Sequence, residues 1–286
     1  MDEQTADSTV QRPFRTRLRA ALAALLMLGP LSLAVADPVR IGVTVTDLGN
    51  PFFVRLARSI ENSARQVIGP DVKVFVASSA YDLDRQNSQI DYFIEKKIDL
   101  LMLIATDPVA IEPAVQRAQA KGIKVMALDV RAAGADATFT TNNIQAGELA
   151  CRYIVQKLGG KGDVVIISGP SVTSITDRTD GCLAVLKSTH GIRLLSSDRN
   201  GGGSSEGGFA KMTDLLTLFP HIDAVFAIND PTAIGADDAA RQAGRYVTEN
   251  GNAGTRPHTP APLEADCMEI FDTGRTLIAT LGHPLF

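Results

Sequence analysis

Four places along the chain set polar or aromatic side chains just beyond a short apolar run. Thr46, Asp47, Asn50, Phe52 and Phe53 follow the run at 41–45, and Thr106 and Asp107 follow 100–104. Asp129 and Arg131 follow 124–128, and Asn229 and Asp230 follow 224–228. This mixture suits a polyhydroxylated ring. Vicinal hydroxyls both donate and accept, so planar amides and carboxylates can hold them in pairs. The C–H faces of such a ring pack on aromatic faces, and Phe supplies one without a polar demand of its own. Structural roles compete at two positions. Phe53 lies on the apolar stripe of its helix and packs in the core on that reading, which leaves Phe52 as the better stacker. Asp129 either grips a ligand, or caps its strand end, or pairs with Arg131.

Other chemistries lack their residues. A dinucleotide fold needs G-x-G-x-x-G after its first strand, where this chain reads Thr46-Asp47-Leu48-Gly49-Asn50-Pro51. The glycine-rich run 201–208 has no Lys-Ser or Lys-Thr behind it and reads as a loop before a helix. No G-x-S-x-G elbow occurs, and His190, His221, His258 and His283 are scattered without metal-ligand spacing. The chain therefore offers a binding site, with no catalytic set and no call for a cofactor or metal.

The elements that position these residues follow one local grammar. At 41–45 a β-branched apolar run reads as a strand buried on both faces. Asn50 then caps a helix and Pro51 fits its first position, where no N–H is needed. Asp107-Pro108 and Asp230-Pro231 repeat the step, so helices are expected from Pro108 and just after Pro231. Strands at 41–45, 72–77, 100–104 and 124–128 alternate with amphipathic helices, the first carrying Phe53, Leu56, Ile60, Ala64 and Val67 on one stripe. Such alternation makes a parallel sheet with helices on both faces. It breaks at 132–137 and resumes from Asn143 with strands at 164–168, 192–195 and 224–228. The expected organisation is an α/β fold of two similar lobes, 37–141 and 142–245, joined by a hinge near 141–143. In parallel sheets the strand-to-helix junctions lie at the carboxyl edge, where ligands bind.

The flanks differ in character. Arg12, Arg15, Arg17 and Arg19 precede an apolar run at 20–35 that ends in Ala34-Val35-Ala36, so 1–36 reads as an export signal cut before Asp37. Pro30 interrupts the run, which is short for a membrane span. The whole chain has 28 basic and 32 acidic residues. A net negative balance argues against a nucleic-acid partner. Cys151 and Cys182 begin successive helices; they pair in an oxidising compartment if those helices are neighbours, and otherwise remain buried thiols. From 246 to 286 the rhythm stops, and 248–263 holds Pro257, Pro260 and Pro262 with Gly251 and Gly254.

Several of these stretches carry a family resemblance. GNPFF after the first strand, ALD at 127–129, TNN at 141–143, DRTDG at 177–181 and VFAINDPTAIGA at 225–236 resemble the ribose-type periplasmic sugar-binding proteins, the solute-binding subunits of bacterial ABC importers. The resemblance covers about 39–245. It implies the type I periplasmic binding protein fold, a monosaccharide in the cleft, a monomer closing about a hinge in the periplasm, and delivery to a membrane permease. It assigns ligand contacts to Thr46, Asn50 and Asn229, stacking to Phe52 and Phe53, and the hydroxyl-gripping carboxylate to Asp129. Arg178 matches the second Arg of its motif, and Arg131 stands near the position of an Arg that usually follows the Asp. Ile104, Val130 and Thr176 depart from the ribose pattern, so a different pentose or a hexose fits equally. The tail departs further. Lacking the family's returning strands, each sheet is expected to expose an edge, with low stability and weak sugar binding. Two related readings are a sugar-responsive receptor, which differs in partner, and a repressor-type regulator, which needs a basic helix-turn-helix segment in front.

Overall fold

Strand β1 (Arg40–Val45) is buried along its last five residues, with Ile41, Val43 and Val45 in the core. It pairs in parallel with β2 (Lys73–Ser78) on one side and β3 (Leu100–Leu103) on the other. β4 (Lys124–Leu128) and β5 (Ala137–Phe139) continue the sheet in parallel, giving the order β2-β1-β3-β4-β5. Helices α1 (Pro51–Val67), α2 (Leu83–Glu95) and α3 (Glu112–Gln119) connect the strands. The computed structural model describes residues 37–245 and the backbone of 268–272 and 277–281. The expected export signal and most of the tail lie outside the described residues.

The chain leaves the first sheet through 140–142 and repeats the plan. α4 (Asn143–Lys157), β6 (Lys161–Ser168), α5 (Thr173–Ser188), β7 (Gly191–Asn200), α6 (Ser205–Leu218), β8 (Ala224–Ala227) and α7 (Asp230–Gln242) follow in order. β9 (Met268–Asp272) and β10 (Leu277–Leu281) complete a sheet of order β7-β6-β8-β10-β9, parallel except for β9. Strand order reverses between β1 and β3 in one sheet and between β6 and β8 in the other. Ligand crevices of open α/β sheets form at such switch points, beyond the carboxyl ends.

Three local expectations change. Asp107 does not start a helix at Pro108: its Oδ1 accepts from Val109 N–H at 2.9 Å and Ala110 N–H at 2.8 Å, closing a separate turn, and α3 begins only at Glu112. At the third junction the cap is Asn229, not Asp230; Asn229 Oδ1 accepts from Thr232 N–H at 3.0 Å. Only the first junction forms as written, with Asn50 Oδ1 accepting from Phe52 N–H at 3.0 Å. The tail also supplies more than expected. β10 pairs with β8 and β9 covers β10, so the second sheet is extended rather than left bare beside β8. On the first sheet β5 is outermost among the described residues, and Phe139 is 61% exposed.

Helices α4 and α5 meet at backbone contact. A β-carbon on Gly147 would stand 1.9 Å from the Arg178 carbonyl oxygen, and one on Gly181 would stand 2.1 Å from that of Ile144. Glycine is therefore required at both positions. Beside them Cys151 and Cys182, both fully buried, form a disulfide. Of the two alternatives the sequence left open, the bonded one holds.

Candidate ligand-binding cleft

Each sheet brings its carboxyl edge to the other. Thr46, buried, follows β1, and Thr106 follows β3. Gln86, fully buried on α2, knits this edge together: its amide N–H groups reach Ile104 O at 2.8 Å and Thr44 Oγ1 at 3.2 Å, and its Oε1 accepts from Thr106 N–H at 2.8 Å. Ser79 and Thr106 share a hydroxyl–hydroxyl bond of 2.7 Å. Phe53 is 6% exposed and packs in the core, while Phe52 is half-buried against it with the rings edge-on at 5.0 Å. The core role therefore falls to Phe53, and Phe52 keeps the more open face.

Asp129 ends β4 in a tight γ-like turn with φ +58°, in which Val130 N–H bonds back to Leu128 O. Strain of this kind in a non-glycine residue persists where the surroundings hold it, and it clusters at ligand sites. Thr140 Oγ1 bonds to the Asp129 carbonyl at 2.5 Å, tying the turn to the inter-sheet connection. Across the gap, Ser174 Oγ donates to Asp129 Oδ2 at 3.1 Å. Burial pushes the Asp129 carboxyl up, against the attraction of Arg178 and the Ser174 bond.

Arg178, 3% exposed, is the opposite charge. Its Nε donates to Asn143 Oδ1 at 2.9 Å and its Nη1 to the Ile228 carbonyl at 2.9 Å. Burial pushes the guanidinium down, and Asp129 and Asp230 pull it back up. Asn143 in turn donates to Thr140 Oγ1 at 3.2 Å and Thr141 O at 3.1 Å. A carboxylate from one sheet and a guanidinium from the other thus share a desolvated site, where both are strong ligands for hydroxyls.

Arg131 is not part of that cluster. The turn at Asp129 reverses the chain, and Arg131 instead makes a bidentate pair with Asp177 of α5, at 2.8 and 3.1 Å. Its side chain is 55% exposed. Because Arg131 is committed to Asp177 and stands outside the Asp129 cluster, Arg131→Ala is expected to change ligand affinity less than about threefold by calorimetry. Asn229 holds the second edge: besides its cap, its amide donates to Gly203 O at 3.0 Å. Asn50 is occupied at its own cap. Ser174, Asn143, Gln86 and Tyr81 went unassigned from sequence. Asn143 stood inside the TNN stretch; the other three carry no local signal, since their partners lie far along the chain. The open groove between α4 and α5, lined by Glu148, Arg152, Gln156 and Ser188, lies apart from these edges and holds no buried charge.

Comparison with known proteins identifies the family. The model of the periplasmic binding protein domain family matches residues 41–255. A ribose import binding protein of Bacillus subtilis is 30% identical over 219 residues, 76% of this chain and 70% of that protein. The ribose import binding protein of Haemophilus influenzae is 28% identical, with 93% of this chain and 90% of that protein covered, so the match runs past residue 245. Among solved structures, an ABC transporter periplasmic solute binding protein from Actinobacillus succinogenes with bound D-allose superposes with a TM-score of 0.66 at 29% identity, covering 72% of this chain and 74% of that one.

Proposed function

The chain belongs to the periplasmic binding protein domain family, and from that premise we propose that it captures a monosaccharide or related polyol between its two carboxyl edges and passes it to the permease of an ABC importer. Members of the family bind solutes for transport and do not convert them. One observation carries the ligand class: Arg178, buried beside the edge of the second sheet, and Asp129, half-buried at the end of β4 in the first, are opposite charges from different sheets that lie in each other's field. A ring bearing several hydroxyls can accept from the guanidinium and donate to the carboxylate at once. In this reading Phe52 supplies the apolar wall with Phe53 behind it, and Thr46, Asn50 and Asn229 complete the polar rim. A ligand that bridges the edges favours the closed arrangement, with 140–142 as the hinge. The protein works as a periplasmic monomer once 1–36 are removed, and its negative balance leaves nucleic acid no role.

A thermal-unfolding screen against pentoses, hexoses and sugar alcohols tests this. One sugar class is expected to raise the transition steadily with concentration, by about 2.7 kcal/mol at a hundred times its dissociation constant. A cooperative transition that rises in this way would also establish that the atypical tail suffices for a working protein. If no sugar moves the transition at any concentration, the proposal fails.

A further inference from the structure

Tyr81 stands between β2 and α2, outside the strand-end pattern. Ala80 and Tyr81 are both left-handed, with φ of +51° and +58°. Two successive residues with side chains rarely adopt this region. Backbone bonds hold them there: Ser79 N–H to Val45 O at 2.9 Å, Tyr81 N–H to Thr46 O at 3.2 Å and Asp82 N–H to Ser79 O at 3.0 Å. The double turn carries the Tyr81 ring toward the opposing sheet. Its hydroxyl lies on the side of the buried Thr46 hydroxyl, in the field of Asp47 and Asp129. On its far side it comes within 3.9 Å of where a β-carbon on Gly203 would stand. Gly203 has φ +74° and is held in place by the Asn229 amide, whose nitrogen would be 3.3 Å from such a carbon. One phenol therefore reaches from the first carboxyl edge to the loop that Asn229 fixes on the second.

We propose that Tyr81 is a specificity-determining residue, whose hydroxyl reads one hydroxyl of the bound ligand beside Asp129 while its ring closes the cleft against Gly203. The inference rests on the reading that the cleft takes a polyhydroxylated solute. The chemistry is complementary to the charged pair. An ionised Asp129 only accepts and Arg178 only donates, whereas a phenol does both. Burial pushes the phenol up, so it stays a neutral donor and acceptor across the physiological range.

The test is Tyr81→Phe, which keeps the ring and the backbone and removes one oxygen. Calorimetry on the full-length exported protein compares the best sugar of the screen with its set of monodeoxy analogues. The variant is expected to bind the parent sugar about tenfold more weakly. For one deoxy analogue it should match the parent protein, so that discrimination at that single hydroxyl collapses. The chain has four Tyr and no Trp. Any ligand-induced change in intrinsic emission is thus a tyrosine signal, and it should shrink in Tyr81→Phe. Equal losses for the sugar and every deoxy analogue would reduce Tyr81 to a packing role and overturn the inference, as would unchanged affinities. A parent protein that binds no sugar in the panel overturns the reading of the cleft, and this inference with it.

Discussion

Arg178→Ala should abolish measurable sugar binding, with affinity falling at least a hundredfold, and should cost the ligand-free protein about 3–5 kcal/mol of stability. Both effects have one origin. Arg178 is buried with its guanidinium divided between Asn143, the Ile228 carbonyl and the field of Asp129. Truncation leaves the Asp129 carboxylate desolvated with no opposing cation from the other sheet. Arg178→Lys keeps the charge but not the fork that serves Asn143 and Ile228 together, so it should recover only part of each loss. The pH profile separates charge from packing. Burial raises the folded Asp129 pKa above its unfolded value near 3.8. Between those two values the folded state holds a proton that the unfolded state has released, so this group makes stability fall as pH rises through that window. Loss of Arg178 raises the folded value further, because Arg178 is the attraction that lowers it. The decline should therefore be steeper and reach to higher pH in Arg178→Ala, and should vanish when Asp129→Asn is added. Denaturant unfolding at stepped pH reads this directly. A flat profile in Arg178→Ala would mean that the two groups are not coupled.

Removing the disulfide, by Cys151→Ser with Cys182→Ser, should lower stability by about 3–4 kcal/mol. The bridge closes a loop of 31 residues, and the chain-entropy relation gives that magnitude for a loop of this length. In a domain of this size the unfolding temperature should drop by roughly 10 °C. Both sulfurs are fully buried between α4 and α5, so a reductant should act on the native protein only as fast as those helices open. Affinity should fall as well. Cys182 lies one helical turn beyond Arg178, and the same helix pair sets the Arg178–Asn143 bond. Matching unfolding curves for the parent and the double variant, measured without reductant, would show that the bridge contributes nothing.

The features legible in the sequence are those fixed by neighbours along the chain. The β1 run, the Asn50 cap and Pro51 at the helix start each depend on contacts within about four residues and formed as read; of the stripe, Phe53 and Ala64 are buried and Leu56 and Ile60 half-buried, while Val67 at the helix end is exposed. The alternation of strands and helices likewise fixed the parallel pairing of β1 to β4 and of β6 to β8, since a right-handed crossover needs a helix between parallel strands. Even locally, the choice between adjacent Asx residues escaped notice. Asn229 and Asp230 are both competent caps, and the selection of Asn229 follows from its second bond to Gly203, 26 residues away. The site itself belonged to tertiary structure. Asp129 and Arg178 are 49 residues apart, and their meaning comes from being desolvated together, which spacing cannot express. Arg131, two residues from Asp129, reads as its companion until the turn at Asp129 sends it to Asp177. Tyr81 reaches the second edge only because two left-handed residues redirect the chain. Cysteine pairing needed the packing of α4 on α5, where two glycines let the backbones touch. Short-range hydrogen bonding and periodicity thus set the elements, whereas burial of charge, a property of the whole packed surface, selected which strand-end residues meet.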